Sequence, residues 1–288
     1  MLTKVIGCCT LAIALLASPA AAQPPAKKAL LIGIDGCRPD ALLAAKAPHL
    51  HGLIKDGCFS DQAQTVDLTV SGPSWSSMLT GVDWKKHGVR DNGFKGADFA
   101  AYPHLLARYK KARPQGFAAS VAHWDGIAKI VTEADHASTH KTGAETAAVA
   151  SKVLAEKDAD LVFVHFDDVD GAGHKHGFSP REAKYLEAIA GVDAYVGELL
   201  KAIKDRKSYE REDWLIVVST DHGGSGKGHG QNIPEHRTIF LIVSGKSAAR
   251  GTIEPAPTVF DVAPTLLTHL GVTIEPGWKL DGKAVGLK

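Results

Sequence analysis

Residues 219–230 hold one carboxylate, two imidazoles and five glycines in the order Ser-Thr-Asp221-His222-Gly-Gly-Ser-Gly-Lys-Gly-His229-Gly. Asp and His suit zinc or a similar divalent ion, and glycine lets a backbone turn sharply and approach a ligand closely. Alone, the stretch fits a solvated glycine-rich turn equally well. Three others share its character. Asp35-Gly36 ends the apolar run 29–34, where the carboxylate either points into a site or caps a helix beginning near Pro39. Ser71 precedes Pro73 in a stretch that stops at Gly81, which predicts a helix with Ser71 near its N-terminus. There the free N–H groups and the macrodipole favour a deprotonated hydroxyl or a phosphate, although a plain N-cap serine needs no chemistry. Asp170 and His174 are four apart across two glycines, a spacing that brings both to one cation in a tight loop or a first helical turn.

Each of these stretches follows a segment that reads as a strand. Buried strands are predicted at 29–34, 117–122, 160–166, 214–218 and 238–243, with a further strand over 58–66. Helices are predicted at 48–56, 100–112, 142–156, 182–204 and 258–270, and a loop at 82–94. The alternation implies one doubly wound, mostly parallel α/β sheet flanked by helices, with ligands at the carboxyl ends of its strands. Four such ends would gather three Asp, three His and Ser71. That is the composition of a two-metal hydrolytic centre with ions roughly 4 Å apart, one activating Ser71 and the other taking the leaving charge. Asn92, in the 82–94 loop, either donates its amide to an anionic oxygen or makes a turn. Trp124, past the strand 117–122, either stacks on a substrate group or packs in the core.

The bulk numbers set limits. The 288 residues are 44% hydrophobic and 23% charged, an ordinary globular composition, and 14 of them are His. Lys4, the apolar run Val5 to Leu16 and Ala20-Ala21-Ala22 read as a signal peptide over 1–22 cleaved after Ala22. A single domain over 23–288, exported to the periplasm or secreted, is therefore expected. The leader's apolar run is too short to span a bilayer, and no later run is long enough. The formal charge of +1 falls to zero without Lys4, which offers no nucleic-acid-binding surface. Cys37 and Cys58 remain, as a disulfide or as two buried thiols.

The ordered set Asp35-Gly-x-Arg-Pro, Ser71-Gly-Pro-Ser, Leu79-Thr80-Gly81 to His87-Gly88, Asp170-x-x-Gly-His174, Asp221-His222-Gly and His229-Gly resembles the alkaline phosphatase superfamily. Within it, the nearest pattern is the type I phosphodiesterase/nucleotide pyrophosphatase branch, over nearly the whole mature chain. The resemblance implies an alkaline phosphatase-like fold and two zinc ions, one held by Asp170, His174 and His229, the other by Asp35, Asp221 and His222 with Ser71 beside it. His236 is the rival to His229, and His87 and His176 are not expected as ligands. It further implies a phosphoseryl intermediate, Asn92 as donor to a phosphate oxygen and Trp124 near a small phosphate ester or nucleotide. Two departures matter. The branch usually has Thr where Ser71 stands, and Ser is the nucleophile of many monoesterases. Yet residues 119–126 lack the Lys and Arg that monoesterase relatives often place there. Ser71-Gly-Pro-Ser-Trp75 also resembles a sulfatase signature, with Trp75 where sulfatases need Arg.

Overall fold

Side chains alternate across a sheet with a period of two, and the central strands of this protein are apolar on both sides. The strands are β1 (Ala26–Ile34), β2 (Cys58–Gln64), β3 (Phe117–Ala122), β4 (His136–Thr139), β5 (Ala159–Phe166), β6 (Glu212–Ser219), β7 (Thr238–Gly245) and β8 (Gly251–Thr252). From β1, Ala29 and Leu31 enter one core, while Leu30, Ile32 and Ile34 enter the other. From β5, Leu161 and Phe163 go one way, and Val162, Val164 and Phe166 the other. This double burial makes such strands read as continuous hydrophobic runs.

The structure, a computed structural model, describes residues 1–3 and 24–288. Beyond its third residue, the leader expected over 1–22 lies outside the described residues, as does its cleavage point. The eight strands form one sheet in the order β4-β3-β5-β1-β6-β7-β2-β8. All pairings are parallel except those of β7, which runs against β6 and β2. One face carries the helices Ser71–Thr80, Leu105–Ala112 and Val262–His269; the other carries Pro48–Asp56, Gly143–Glu156 and Ala183–Lys204. This is the doubly wound, mostly parallel arrangement that the sequence predicts.

Register brings the business ends level. Ile34 pairs with Phe166, and Gly33 with Ser219, so the chain leaves β1, β5 and β6 side by side on one edge.

Several local expectations are corrected. The 82–94 loop contains the short helix Trp84–His87, capped by Asp83, which accepts from the Lys85 N–H at 2.9 Å. The helix expected from residue 100 starts at Leu105, after Pro103, with His104 as its N-cap. The strand expected to Val66 ends at Gln64, and the edge strand β4 is an addition. Asp170 and His174 sit on a helix, Asp168–His176. Cys37 and Cys58 are buried free thiols in the two opposite cores. The sheet lies between them, so no disulfide forms.

Candidate metal centre

Asp35 leaves β1 with its N–H donated to the Phe166 carbonyl at 2.9 Å. It caps nothing: the helix Pro39–Ala44 has Arg38 at its N-cap and no side-chain cap. The next residue, Gly36, has φ +63, and a Cβ there would lie 2.5 Å from Asp170 Oδ1. Glycine is thus needed both for the left-handed turn and for the approach of Asp170. The Gly36 N–H donates to Asp221 Oδ1 at 3.1 Å, and the Cys37 N–H to Thr220 Oγ1 at 2.9 Å, pinning this turn to the end of β6.

Two groups of side chains result. In the first, His222 Nε2 lies 3.5 Å from Asp35 Oδ1, 3.3 Å from Asp221 Oδ2 and 3.3 Å from Ser71 Oγ. In the second, His174 Nε2 lies 3.2 Å from Asp170 Oδ2 and 3.1 Å from His229 Nε2, which is 3.7 Å from Asp170 Oδ1. The groups adjoin. The His222 and His229 rings stack at 3.9 Å, and Asp170, His222 and His229 offer ligand atoms within 4.8 Å of one another, as do Asp35, Asp221 and His222.

The donor chemistry fits cations. Each imidazole spends Nδ1–H on a backbone carbonyl: His174 on Lys227 at 3.0 Å, His222 on Gly223 at 2.9 Å and His229 on Thr69 at 2.9 Å. The three Nε2 lone pairs therefore point inward, the arrangement that orients metal-binding histidines. Asp35 Oδ1, Asp170 Oδ1 and Asp221 Oδ2 are buried with no hydrogen-bond partner. Unpaired buried carboxylate oxygens are costly, and protonation is the only relief the protein itself offers. Burial, then Asp221, pushes Asp35 up to about 8. Burial, then Asp35, pushes Asp170 up to about 7, and burial raises Asp221 well above the usual carboxylate range. Burial, then His222, drives His229 down to about 3. Divalent cations would convert every one of these orphaned atoms into a ligand. The residues fit divalent cations: Asp35, Asp221 and His222 could hold one, and Asp170 and His229, with His222 or the adjacent His174, could hold another.

His236 stays outside. Its Nδ1 accepts the Gln231 N–H at 3.0 Å and its Nε2 meets Ser225 Oγ at 2.8 Å, so both nitrogens serve the loop. His87 is likewise spent on Ser77 Oγ and the Val89 N–H.

Ser71 opens its helix but does not cap it, since Val70 holds that position. Asn92 accepts the Gly72 N–H through Oδ1 at 2.7 Å, which leaves its amide N–H groups free beside Ser71. Trp124 is half-buried and walls a cavity of about 370 Å³ with Asp167, His140 and Lys141. Lys141, two residues past the end of β4, lines the same cavity, so a cation stands near Trp124 although 119–126 contains none. Two more residues escaped the sequence reading. Trp75 donates Nε1–H to Asp35 Oδ2 at 2.8 Å, and His165 Nε2 lies 3.2 Å from the same oxygen. The available signal for His165 was a lone titratable residue inside an apolar strand.

Known structures carry the same architecture. Murine ectonucleotide pyrophosphatase/phosphodiesterase 5, solved as an inactive threonine-to-alanine variant in complex with AMP, matches with a TM-score of 0.70 at 18% identity over 87% of this chain and 96% of that one. A 2-O GAG sulfatase matches with 0.74 at 13% identity over 91% and 73%. The fold is that of the alkaline phosphatase superfamily.

The family model for type I phosphodiesterase/nucleotide pyrophosphatase matches residues 29–102 and 95–227, and the chain belongs to that family. Among curated relatives, the bis(5'-adenosyl)-triphosphatase of Bos taurus is 24% identical over 224 residues, 70% of this chain and 48% of that protein. Ectonucleotide pyrophosphatase/phosphodiesterase family member 7 of Homo sapiens is 24% identical over 244 residues, 74% and 52%. The chain spans about half the length of these relatives.

Proposed function

We propose that this protein hydrolyses phosphodiester or nucleotide pyrophosphate bonds with Ser71 as nucleophile beside two divalent cations, zinc by its ligand set. The observation that carries the reading is the convergence of three orphaned carboxylate oxygens and three inward-facing Nε2 atoms, one of them 3.3 Å from the Ser71 hydroxyl. Bound there, divalent cations supply Lewis-acid stabilisation of the charge on the nucleophile, the phosphoryl group and the leaving oxygen.

The chain's own residues do the rest. Ser71 Oγ, at a helix N-terminus that favours its deprotonated form, attacks phosphorus in line. The bond to the leaving oxygen breaks, and a phosphoseryl group forms. Water then attacks phosphorus, and the Ser71 bond breaks in turn. Asn92, fixed through Oδ1, donates its amide to a phosphoryl oxygen as charge develops. Trp124 stacks on a group of the substrate, such as a nucleotide base. The names of the relatives, a triphosphatase and two pyrophosphatase/phosphodiesterases, one of them solved with AMP, support this substrate class. The chain would act outside the cytoplasm as residues 23–288, released by cleavage after Ala22.

A phosphomonoesterase is the second reading, favoured by Ser71 in place of Thr and by Lys141 beside Trp124. Turnover of a nitrophenyl diester and a nitrophenyl monoester, before and after chelation, decides. We expect faster diester hydrolysis, loss of both activities on chelation, and recovery with zinc. Faster monoester hydrolysis installs the second reading, and turnover indifferent to chelation refutes both.

A further inference from the structure

His165 has no part in the steps above, yet it is completely buried against the centre. It is the second-last residue of β5, on the face that carries Leu161 and Phe163. Register sets it between Gly33 of β1 and Ala122 of β3. Those small neighbours leave a hollow that Trp75 fills: a Cβ on residue 33 would lie 2.3 Å from Trp75 Cη2. The indole stands edge-on to the His165 ring, with centroids 4.8 Å apart at 74°. Both rings aim a nitrogen at one atom, Asp35 Oδ2, at 2.8 Å from Trp75 and 3.2 Å from His165. A metal-binding carboxylate only accepts, so His165 Nε2 carries the proton. Oδ2 therefore takes two donors, and Oδ1 takes none.

We infer that His165 is a positioning residue: with Trp75 it clamps Asp35 Oδ2, so that Oδ1 alone is presented to the cation shared with Asp221 and His222. The inference rests on the two-cation reading above. A carboxylate torsion is broad and soft when nothing holds it, and two N–H donors on one oxygen fix it. The other cation's ligands have separate anchors, the Lys227 carbonyl for His174 and the Thr69 carbonyl for His229. Loss of the clamp must therefore weaken one ion and spare the other. Outer partners of this kind are worth about 10–100-fold in metal affinity.

The test is zinc competition against a chromophoric chelator, using metal-depleted protein. His165→Phe keeps an aromatic ring and removes the donor; His165→Gln restores an N–H at similar reach. The parent should bind two equivalents. His165→Phe should hold one as the parent does and the other about 10–100-fold more weakly, with His165→Gln recovering most of the loss. Unchanged affinities in His165→Phe overturn the inference. So do an equal loss at both ions, a glutamine variant no better than phenylalanine, or a third equivalent in the parent that both variants lose, which would make His165 a ligand. A parent that binds no zinc refutes the two-cation reading itself, and the inference falls with it. If His165→Phe does not fold, Trp75→Phe removes the other donor and must show the same one-ion loss.

Discussion

Four serines stand on the helix Ser71–Thr80, and their partners separate them. Ser74 Oγ donates to the Leu68 carbonyl at 3.4 Å, Ser77 Oγ meets His87 Nε2 at 2.9 Å, and Ser76 Oγ is buried without a partner. Only Ser71 faces the centre, through His222. If its oxygen is the one that bonds to phosphorus, Ser71→Ala should lower kcat/KM by at least ~10³-fold. The two zinc equivalents should remain, because the six Asp and His ligands are intact. Steady-state kinetics paired with elemental analysis checks both halves; a variant with full turnover and bound zinc rules out the covalent role. The residue scale also shows what a sequence conceals. Asp35 alone reads as a helix cap. Its role became legible only as one of a set, beside Asp170, His174, Asp221, His222 and His229. Trp75 and His165 had no such set to join, because their partner is a single oxygen 40 and 130 residues away.

At the scale of elements, β1, β5, β6 and β7 were legible because burial on both faces writes a continuous apolar run. β4, with the sequence HAST, is four residues long and half exposed at a sheet edge, so nothing in its pattern announces a strand. That omission hid the approach of Lys141 to Trp124. The helix Ser71–Thr80 was legible from Pro73 and Gly81, but not the depth at which it seats Trp75 against the sheet. That depth depends on Gly33. A Cβ placed 2.3 Å from Trp75 Cη2 forces a fully buried ring to shift. Gly33→Ala should therefore cost about 1–3 kcal/mol of stability, the range for overpacking a core. It should also weaken zinc at the Asp35 ion by tilting the indole away from Oδ2. Urea unfolding of the zinc-free protein measures the first effect and chelator competition the second. An alanine variant with parental stability and zinc affinity would show that the indole is not held against the sheet in this way.

At the scale of the whole molecule, the proposed centre would tie stability to pH through the cations it holds. Asp35 rises to about 8 and Asp170 to about 7 when no cation is near, both chiefly through burial. An unfolded chain releases the same protons near pH 4. Between about pH 4 and 8 the zinc-free folded state therefore holds protons that the unfolded state has lost, so these carboxylates make it less stable as pH rises. Zinc reverses the sign. Its ligands must be ionised, so below pH 8 each ion has to displace protons, and its affinity climbs as pH climbs. Each displaced proton is worth about 1.4 kcal/mol per pH unit. A bound ion stabilises the fold by RT ln(1 + c/Kd), where c is its free concentration, so at fixed c tighter binding means a more stable fold. Groups remote from the centre titrate alike in both forms and cancel in the difference. The gap in Tm between zinc-loaded and chelated protein, at buffered constant free zinc, should accordingly widen from pH 6 to 8. A gap that is flat or narrows over that range would mean that Asp35 and Asp170 are already ionised without metal, and that the orphaned oxygens are answered by something other than a cation.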